Sequence, residues 1–288
     1  MKKFLLTIFL TFFITQSAMA IDWKFWVSDD EKSVRNLLES QVKYANRTNY
    51  EKFISTYSSD YVNADGFNLD TYSSLVKDIW STYNKIKYDI DIKKVTIDNN
   101  IATVELEETA NAQIKMSKVY EGELKSFSNT VYKLKKVNGK WKVFYDSILD
   151  ETTSMLYGDA RDLDIKLTVP NTIPANSEYS AILEFEPPTG TIAIASLAAD
   201  KVEYPQGQTK EVFRTLPEDN ILERLFTANN DRVNEYIVAS IGLTKTEFSD
   251  VNINLSLTGF GYAIKRVNVT PMEEEKISAN GEANVQNR

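Results

Sequence analysis

The stretch that most constrains the fold is KKVNGKWKVFYDS at residues 135–147. Its Asn138-Gly139 dipeptide is typical of the two-residue turns that join neighbouring antiparallel strands. Counting outward from that turn gives three cross-strand pairs on one face of the sheet: Lys136 with Trp141, Leu134 with Val143, and Tyr132 with Tyr145. The opposite face carries mostly lysines. The sequence therefore predicts an antiparallel sheet with one buried face, on which Tyr132 and Tyr145 lie.

The chain before this hairpin changes from helical to strand periodicity near residue 88. Ser28-Asp29-Asp30-Glu31 matches a capping box, and apolar residues follow it at helical spacing as far as Ala45. A second helix is predicted at about 50–57, and a third begins near Leu69. Apolar residues then alternate with polar ones in two strands, and a further strand at about 122–136 leads into the hairpin. The predicted order is three helices followed by four antiparallel strands.

This element order, together with YSSDYVNADG after the second helix and VNGKWKVFYDS at the end, resembles the nuclear transport factor 2-like superfamily. That superfamily includes ketosteroid isomerase and the SnoaL-like polyketide cyclases. The resemblance covers residues 28 to about 155. It implies an α+β cone domain, with three helices on a curled antiparallel sheet whose open end often holds a small ligand. No residue matches the catalytic Tyr and Asp of the isomerase by motif, so the resemblance implies no catalytic residue here.

From about residue 160 the pattern changes to short strands separated by turns that contain Pro and Gly. The predicted strands are at about 162–169, 179–186, 191–198, 209–214, 233–243, 251–257 and 261–269. This spacing is typical of an all-β immunoglobulin-like sandwich. PEDNILERLFTAN at 217–229 is predicted as a short helix. The strand at 233–243 is apolar on both faces, which predicts a central position.

Four segments follow from these patterns: a signal peptide at 1–20, a nuclear transport factor 2-like domain at 21–158, a β-sandwich domain at 159–271 and a disordered tail at 272–288. The leader prediction rests on two lysines, a short apolar run and Ala18-Met19-Ala20 as a cleavage site. We therefore expect an exported protein, periplasmic or extracellular, without a transmembrane segment. The two-domain prediction requires that strands after 162 do not pair with the first sheet.

The composition narrows the chemistry, because the chain contains no His and no Cys. A Ser-His-Asp triad, a Cys-His pair and a zinc site with His or Cys ligands are thereby excluded. Proton transfer has to use Asp, Glu, Tyr or Lys. The formal net charge is −8 and no dense cluster of basic residues occurs, so no nucleic-acid binding is predicted. No cofactor and no metal are predicted either.

The predicted ligand-binding residues line the inside of the cone. On the strand 102–108, Glu108 shares a face with three apolar residues, so it points inward, where burial would raise its pKa. Alternatively the strand turns into solvent first and leaves Glu108 on the surface. The full predicted set is Tyr57, Tyr61, Trp80, Glu108, Tyr132 and Tyr145. The aromatic members are alternatively ordinary core residues, and Asp65-Gly66 is interpreted as a turn.

Two functions remain open. One is a non-catalytic protein that binds a small apolar or amphipathic ligand, or a protein of the cell envelope. The alternative is an isomerase, cyclase or dehydratase that uses a carboxylate and tyrosines in the cone. An inward acid with a raised pKa beside a Tyr would favour the enzyme, and a cone filled by its own side chains would favour binding. Three apolar residues on the outer sheet face, Phe127, Val131 and Phe144, predict a patch covered by the second domain or the N-terminal WKFW segment, with a homodimer as the alternative.

Overall fold

The computed structural model describes residues 28–83, 85–116, 120–248 and 253–271. The predicted leader, the WKFW segment and the tail at 272–288 lie outside these residues. The elements in chain order are α1 (Asp29–Ala45), α2 (Tyr50–Ile54), α3 (Leu69–Thr82), β1 (Lys87–Asp98), β2 (Ile101–Lys115), β3 (Glu121–Val137), β4 (Lys140–Gly158), a 3-10 helix (Asp159–Asp162), β5 (Lys166–Thr168), β6 (Thr172–Pro174), β7 (Glu178–Glu184), β8 (Thr191–Lys201), β9 (Arg214–Thr215), β10 (Ile221–Thr227), β11 (Glu235–Phe248) and β12 (Ile253–Thr270). Within the described ranges, no helix is long and apolar enough to cross a membrane.

The helices begin where the local signals place them. The Ser28 hydroxyl accepts a hydrogen bond from the Glu31 amide at 3.1 Å, which confirms the predicted cap of α1. Helix α2 ends at Ile54, earlier than predicted. It ends early because the backbone after it pairs with β4: the Val143 amide donates to the Thr56 carbonyl at 3.0 Å, and the Ser58 amide donates to the Val143 carbonyl at 2.7 Å.

The first segment has the arrangement that the resemblance implied. Strands β1 to β4 form an antiparallel meander, and one face of it packs against the three helices. The core between the two layers is apolar and fully buried, with members such as Val34 and Leu38 from α1, Val104 from β2 and Leu134 from β3. The burial alternates along each strand, which is how a sheet with one covered face is built.

The sheet continues into the second segment, so the expected separation of the two sheets is wrong. Residues 152–158 of β4 pair with residues 259–265 of β12, and the strand order is β1-β2-β3-β4-β12-β11-β8-β9. The reason is the length of β4, which extends well past the predicted hairpin and offers a second edge for pairing. The two large hydrophobic cores nevertheless stay separate, one with members between residues 34 and 143 and one with members between residues 160 and 269. A smaller third cluster, of Ile86, Ala112, Ile114 and Leu124, packs against Met155 and Tyr157 of β4. The pairing of β4 with β12 breaks the condition that the two-domain prediction set, and a division based on the cores alone stays a prediction.

The second segment packs two sheets face to face. The smaller sheet, of order β10-β7-β5, packs through side chains such as Leu183 of β7 on residues of β8, β11 and β12, including Ala195 and Ile237. An immunoglobulin-like topology is not confirmed by this arrangement. Strand β11 lies between β12 and β8, in the central position predicted for residues 233–243.

The predicted short helix at 217–229 is wrong, because β10 occupies residues 221–227 and pairs with β7. Its apolar residues, Ile221, Leu222, Leu225 and Phe226, recur at a spacing that suits one face of a helix. In the fold, Leu222 and Phe226 pack against the second core instead. Pairing with the edge of β7 decided between the two structures.

The predicted apolar patch on the outer face of the first sheet is partly open. Phe127 is 36% exposed, and the Lys135 ammonium lies 5.3 Å from the ring centroid of Phe144. The second segment joins this sheet at the edge of β4, and none of Phe127, Val131 and Phe144 belongs to either core of the described residues. A cover for this patch, whether from the same chain or from a second copy, stays a prediction.

Candidate functional site

A β-bulge in β4 determines which side chains of the hairpin face the helices. The pair Leu134–Val143 follows the predicted register, but the register then shifts by one residue. Lys133 consequently pairs with Tyr145, and Tyr132 pairs with Asp146. Because strand side chains alternate between faces, one extra residue in β4 reverses the positions after it, until a second register shift between Ile148 and Asp150 restores the original phase.

The bulge makes the predicted site position of Tyr145 wrong. Tyr145 lies on the outer face, where the Lys133 ammonium is 5.2 Å from its ring centroid. Asp146 takes the inward position and is 7% exposed. The loop after α2 hydrogen-bonds the backbone around the bulge: the Val62 amide donates to the Phe144 carbonyl at 3.1 Å, and the Ala64 amide donates to the Asp146 carbonyl at 2.8 Å.

A cavity of about 170 Å³ lies between the helices and this face of the sheet. Four of the predicted residues border it: Tyr57, Trp80, Glu108 and Tyr132. Tyr61 is 1% exposed and lies in the core beside the cavity, in ring contact with Tyr57 and Tyr72. Tyr72 borders the cavity although the predicted set omitted it; its position one helical turn before Val76 of the core was the available signal.

Glu108 faces the helices, in line with the alternation along β2, and borders the cavity. The Tyr132 hydroxyl donates to Glu108 Oε1 at 3.0 Å. Burial raises the pKa of Glu108, and hydrogen bonds from Thr130, Tyr132 and Ser128 oppose that rise. The carboxyl group is thus held in place by hydroxyl donors at the wall of a largely apolar cavity.

Asp146 is a second buried acid of this cluster, and sequence reasoning missed it. The Tyr61 hydroxyl donates to Asp146 Oδ2 at 2.5 Å. Burial raises the pKa of Asp146 to about 7 against the hydrogen bond of Tyr61, and the negative charges of Glu108 and Asp65 raise it further. No signal in the sequence marks a bulge at Phe144, so counting from the turn could not place Asp146 inward.

Two more tyrosines complete the hydroxyl groups of the site. The hydroxyl oxygens of Tyr57 and Tyr72 are 3.0 Å apart, and both side chains border the cavity. Burial raises the pKa of both phenols, so they remain neutral and can donate hydrogen bonds at any ordinary pH. The site therefore combines an acid that can exchange a proton with hydroxyl groups that can stabilise a negatively charged oxygen.

Asp65, interpreted from the sequence as a turn residue, forms a buried ion pair as well. The turn is present, since the Gly66 amide donates to the Asn63 carbonyl at 3.0 Å. The Asp65 carboxylate also pairs with Arg266 of β12, and Asn234 Nδ2 donates to the same oxygen, Oδ1, at 2.7 Å. This contact joins the loop beside the cavity to the second segment.

Comparisons with known proteins give structural matches only: no family model and no curated protein matches the chain. Bd1075 of Bdellovibrio bacteriovorus is 15% identical with a TM-score of 0.36, over 42% of this chain and 42% of that protein. A Nostoc punctiforme protein of unknown function, with a cystatin-like fold, is 15% identical with a TM-score of 0.32, over 42% of this chain and 92% of that one. A Novosphingobium aromaticivorans protein, described as NTF2-like with a cystatin-like fold, is 13% identical with a TM-score of 0.33, over 41% and 80% of the two chains.

Proposed function

We propose that the cavity of the first segment binds a small apolar carbonyl compound and that Glu108 moves a proton on it. The observation that carries this proposal is the position of the Glu108 carboxyl group, which borders a largely apolar cavity within hydrogen-bond distance of Tyr132. An inward acid with a raised pKa beside a tyrosine favours an isomerase, cyclase or dehydratase. A cone filled by its own side chains would have favoured a binding protein instead. The space of about 170 Å³ supports the same choice.

The chemistry follows from the two kinds of group that meet at the cavity. In a ligand with a carbon–carbon double bond beside the α-carbon, the Glu108 carboxylate takes the α-proton and the resulting acid returns it to the far carbon of that double bond, which shifts the double bond. In a saturated ketone the proton returns to the carbon that it left, which gives exchange only. The electrons move onto the carbonyl oxygen, which accepts a hydrogen bond from Tyr57 or Tyr72. Burial favours the neutral acid and the hydroxyl donors favour the ionised form, so both forms needed for general acid–base catalysis are accessible.

The test is exchange of the α-protons of cyclohexanone for deuterium, followed by proton NMR in deuterium oxide. We expect the protein to accelerate exchange over buffer, and Glu108→Gln to lower that rate by about 10²-fold or more. Tyr132→Phe, which removes a hydroxyl donor to Glu108, should also change the rate, and Tyr145→Phe, on the other face of the sheet, is its matched control and should leave the rate unchanged. Cyclohexanone that fails to bind in saturation-transfer NMR, or exchange that Glu108→Gln leaves unchanged, would overturn the proposal.

Ligand binding without chemistry is the second candidate function. The observation that favours it is the set of hydroxyl donors around Glu108, which can serve to hold the carboxyl group against a polar group of the ligand. Binding of cyclohexanone with no exchange, and weaker binding in Glu108→Gln, would identify this function. A ligand in the cavity or a partner protein of the cell envelope would then be sought by mass spectrometry of the purified protein.

Export of the protein is part of the proposal and rests on the leader pattern at residues 1–20. Expression of the full chain in a Gram-negative host should yield periplasmic protein whose first residue is Ile21. Protein that stays in the cytoplasm and begins at Met1 would contradict this prediction.

A further inference from the structure

A second cavity, of about 550 Å³, lies over the strands of the second segment. It borders side chains of β4, β12 and β11, with Val238 and Ile264 among its apolar residues, and the segment after β8 contributes Gln206 and Gln208. We call it the groove. Its position relative to the first cavity follows from the register: Ser128 pairs with Glu108 on one side and with Glu151 of the groove on the other. Both cavities therefore lie on the same face of the shared sheet.

The groove carries acidic groups without cationic partners. Three carboxylates border it, from Glu151, Asp200 and Glu211, and no Lys or Arg borders it in the described part of the chain. Each carboxylate accepts a hydrogen bond from a neutral hydroxyl: Glu151 from Tyr236 at 3.0 Å, Asp200 from Thr209, and Glu211 from Ser240. Burial raises the pKa of Glu151, and the positive charge of Arg266, which is already paired with Asp65, opposes that rise.

Among the described residues no group of three acids could hold a metal ion, and the three acids of the groove are attached to well-separated backbone positions. Glu151 lies on β4 and Asp200 on β8, with β12 and β11 between them, which separates their backbones by about 14 Å. Ser240, which holds Glu211, follows Tyr236 by four residues on β11, a distance of about 13 Å along the strand. The surface between these charges includes Val238, Ile264 and the rings of Tyr236 and Tyr262.

We propose that the groove binds an extended aliphatic cation of the polyamine class. Ammonium groups spaced along a hydrocarbon chain can meet separate carboxylates, while the methylene groups between them cover the apolar surface. The tyrosine rings offer faces on which an ammonium group is further stabilised. The charge and the dimensions of the groove thus fit one chemical class. The proposal is independent of the chemistry at Glu108.

Titration calorimetry of the full-length protein with spermidine tests this assignment. Asp200→Asn and Glu211→Gln should each weaken binding by about ten-fold, since each removes one charge-assisted contact. Glu184→Gln is the control for an acidic residue outside the groove: the Glu184 side chain is 51% exposed and pairs with Lys166 at 3.5 Å. Glu108→Gln should also bind spermidine as the wild type does, which separates this test from that of the first cavity.

Two further measurements make the outcome decisive. The uncharged chain 1,8-octanediol should not bind, and Mg²⁺ should compete with spermidine only weakly, because a single ion cannot contact all three carboxylates. Equal weakening by Glu184→Gln and by the groove variants would show general attraction to an acidic chain and would overturn the proposal. Absence of spermidine binding to the wild type would overturn it as well.

Discussion

Replacing Asp65 by Ala removes the partner of a buried positive charge. The side chain of Arg266 is 0% exposed and that of Asp65 is 5% exposed. In the variant, Arg266 would keep the hydrogen bond from Nε to Asn268 Oδ1 at 2.8 Å, while Nη1 already lacks a partner. Asn234 would also lose the acceptor of its amide group. Removal of one member of a buried pair costs about 3–5 kcal/mol, so we expect the free energy of unfolding to fall by that amount.

Urea-induced unfolding, followed by circular dichroism, measures this loss. Asp60→Ala is the matched control in the same loop: its carboxylate is 62% exposed and pairs with Lys135, so its removal should cost less than about 1 kcal/mol. A second variant isolates the cause, since Asp65→Ala combined with Arg266→Met removes the buried charge altogether. This double variant should be more stable than Asp65→Ala alone. A loss as small as that of Asp60→Ala, or no recovery in the double variant, would refute the reasoning.

Two more variants test the acid cluster and the joint between the segments. Burial raises the pKa of Asp146 from 3.8 to about 7, so the folded state keeps a proton that the unfolded chain has lost, and this group lowers stability increasingly as the pH rises from about 4 to 7. Asp146→Asn should therefore gain up to roughly 4 kcal/mol over the wild type across that range in urea titrations, and a difference that stays flat with pH would contradict this. Gly158→Ala should lose about 2 kcal/mol or more in thermal unfolding, because φ is +58° and the new Cβ would overlap the Thr258 carbonyl oxygen. Gly190→Ala, at φ +79° with no atom within 4 Å of the new Cβ, should lose only about 1–2 kcal/mol, and equal losses would contradict the close approach of β4 and β12.

Most of the candidate site could be predicted because its signals are local. The alternation along β2 placed Glu108 on the same face as Val104, and the Asn138-Gly139 turn set the first pairs of the hairpin. Both are statements about residues within a few positions of one another. The position of Tyr145 was wrong because it depended on an unbroken ladder beyond Val143, and the bulge there is held by hydrogen bonds from the loop after α2.

The sequence by itself determined the class of elements in the first segment and limited the side chains available for proton transfer to Asp, Glu, Tyr and Lys. A helix cap, a hairpin turn and the lack of His and Cys depend on neighbouring residues or on composition alone. Tertiary structure decided where two of the acids lie and what they contact. A one-residue bulge turns Asp146 inward, and pairing between β4 and β12 brings Arg266 to Asp65. The physical reason is that strand pairing is made between distant parts of the chain, so its register and its partners are set by packing and hydrogen bonds that no local pattern contains.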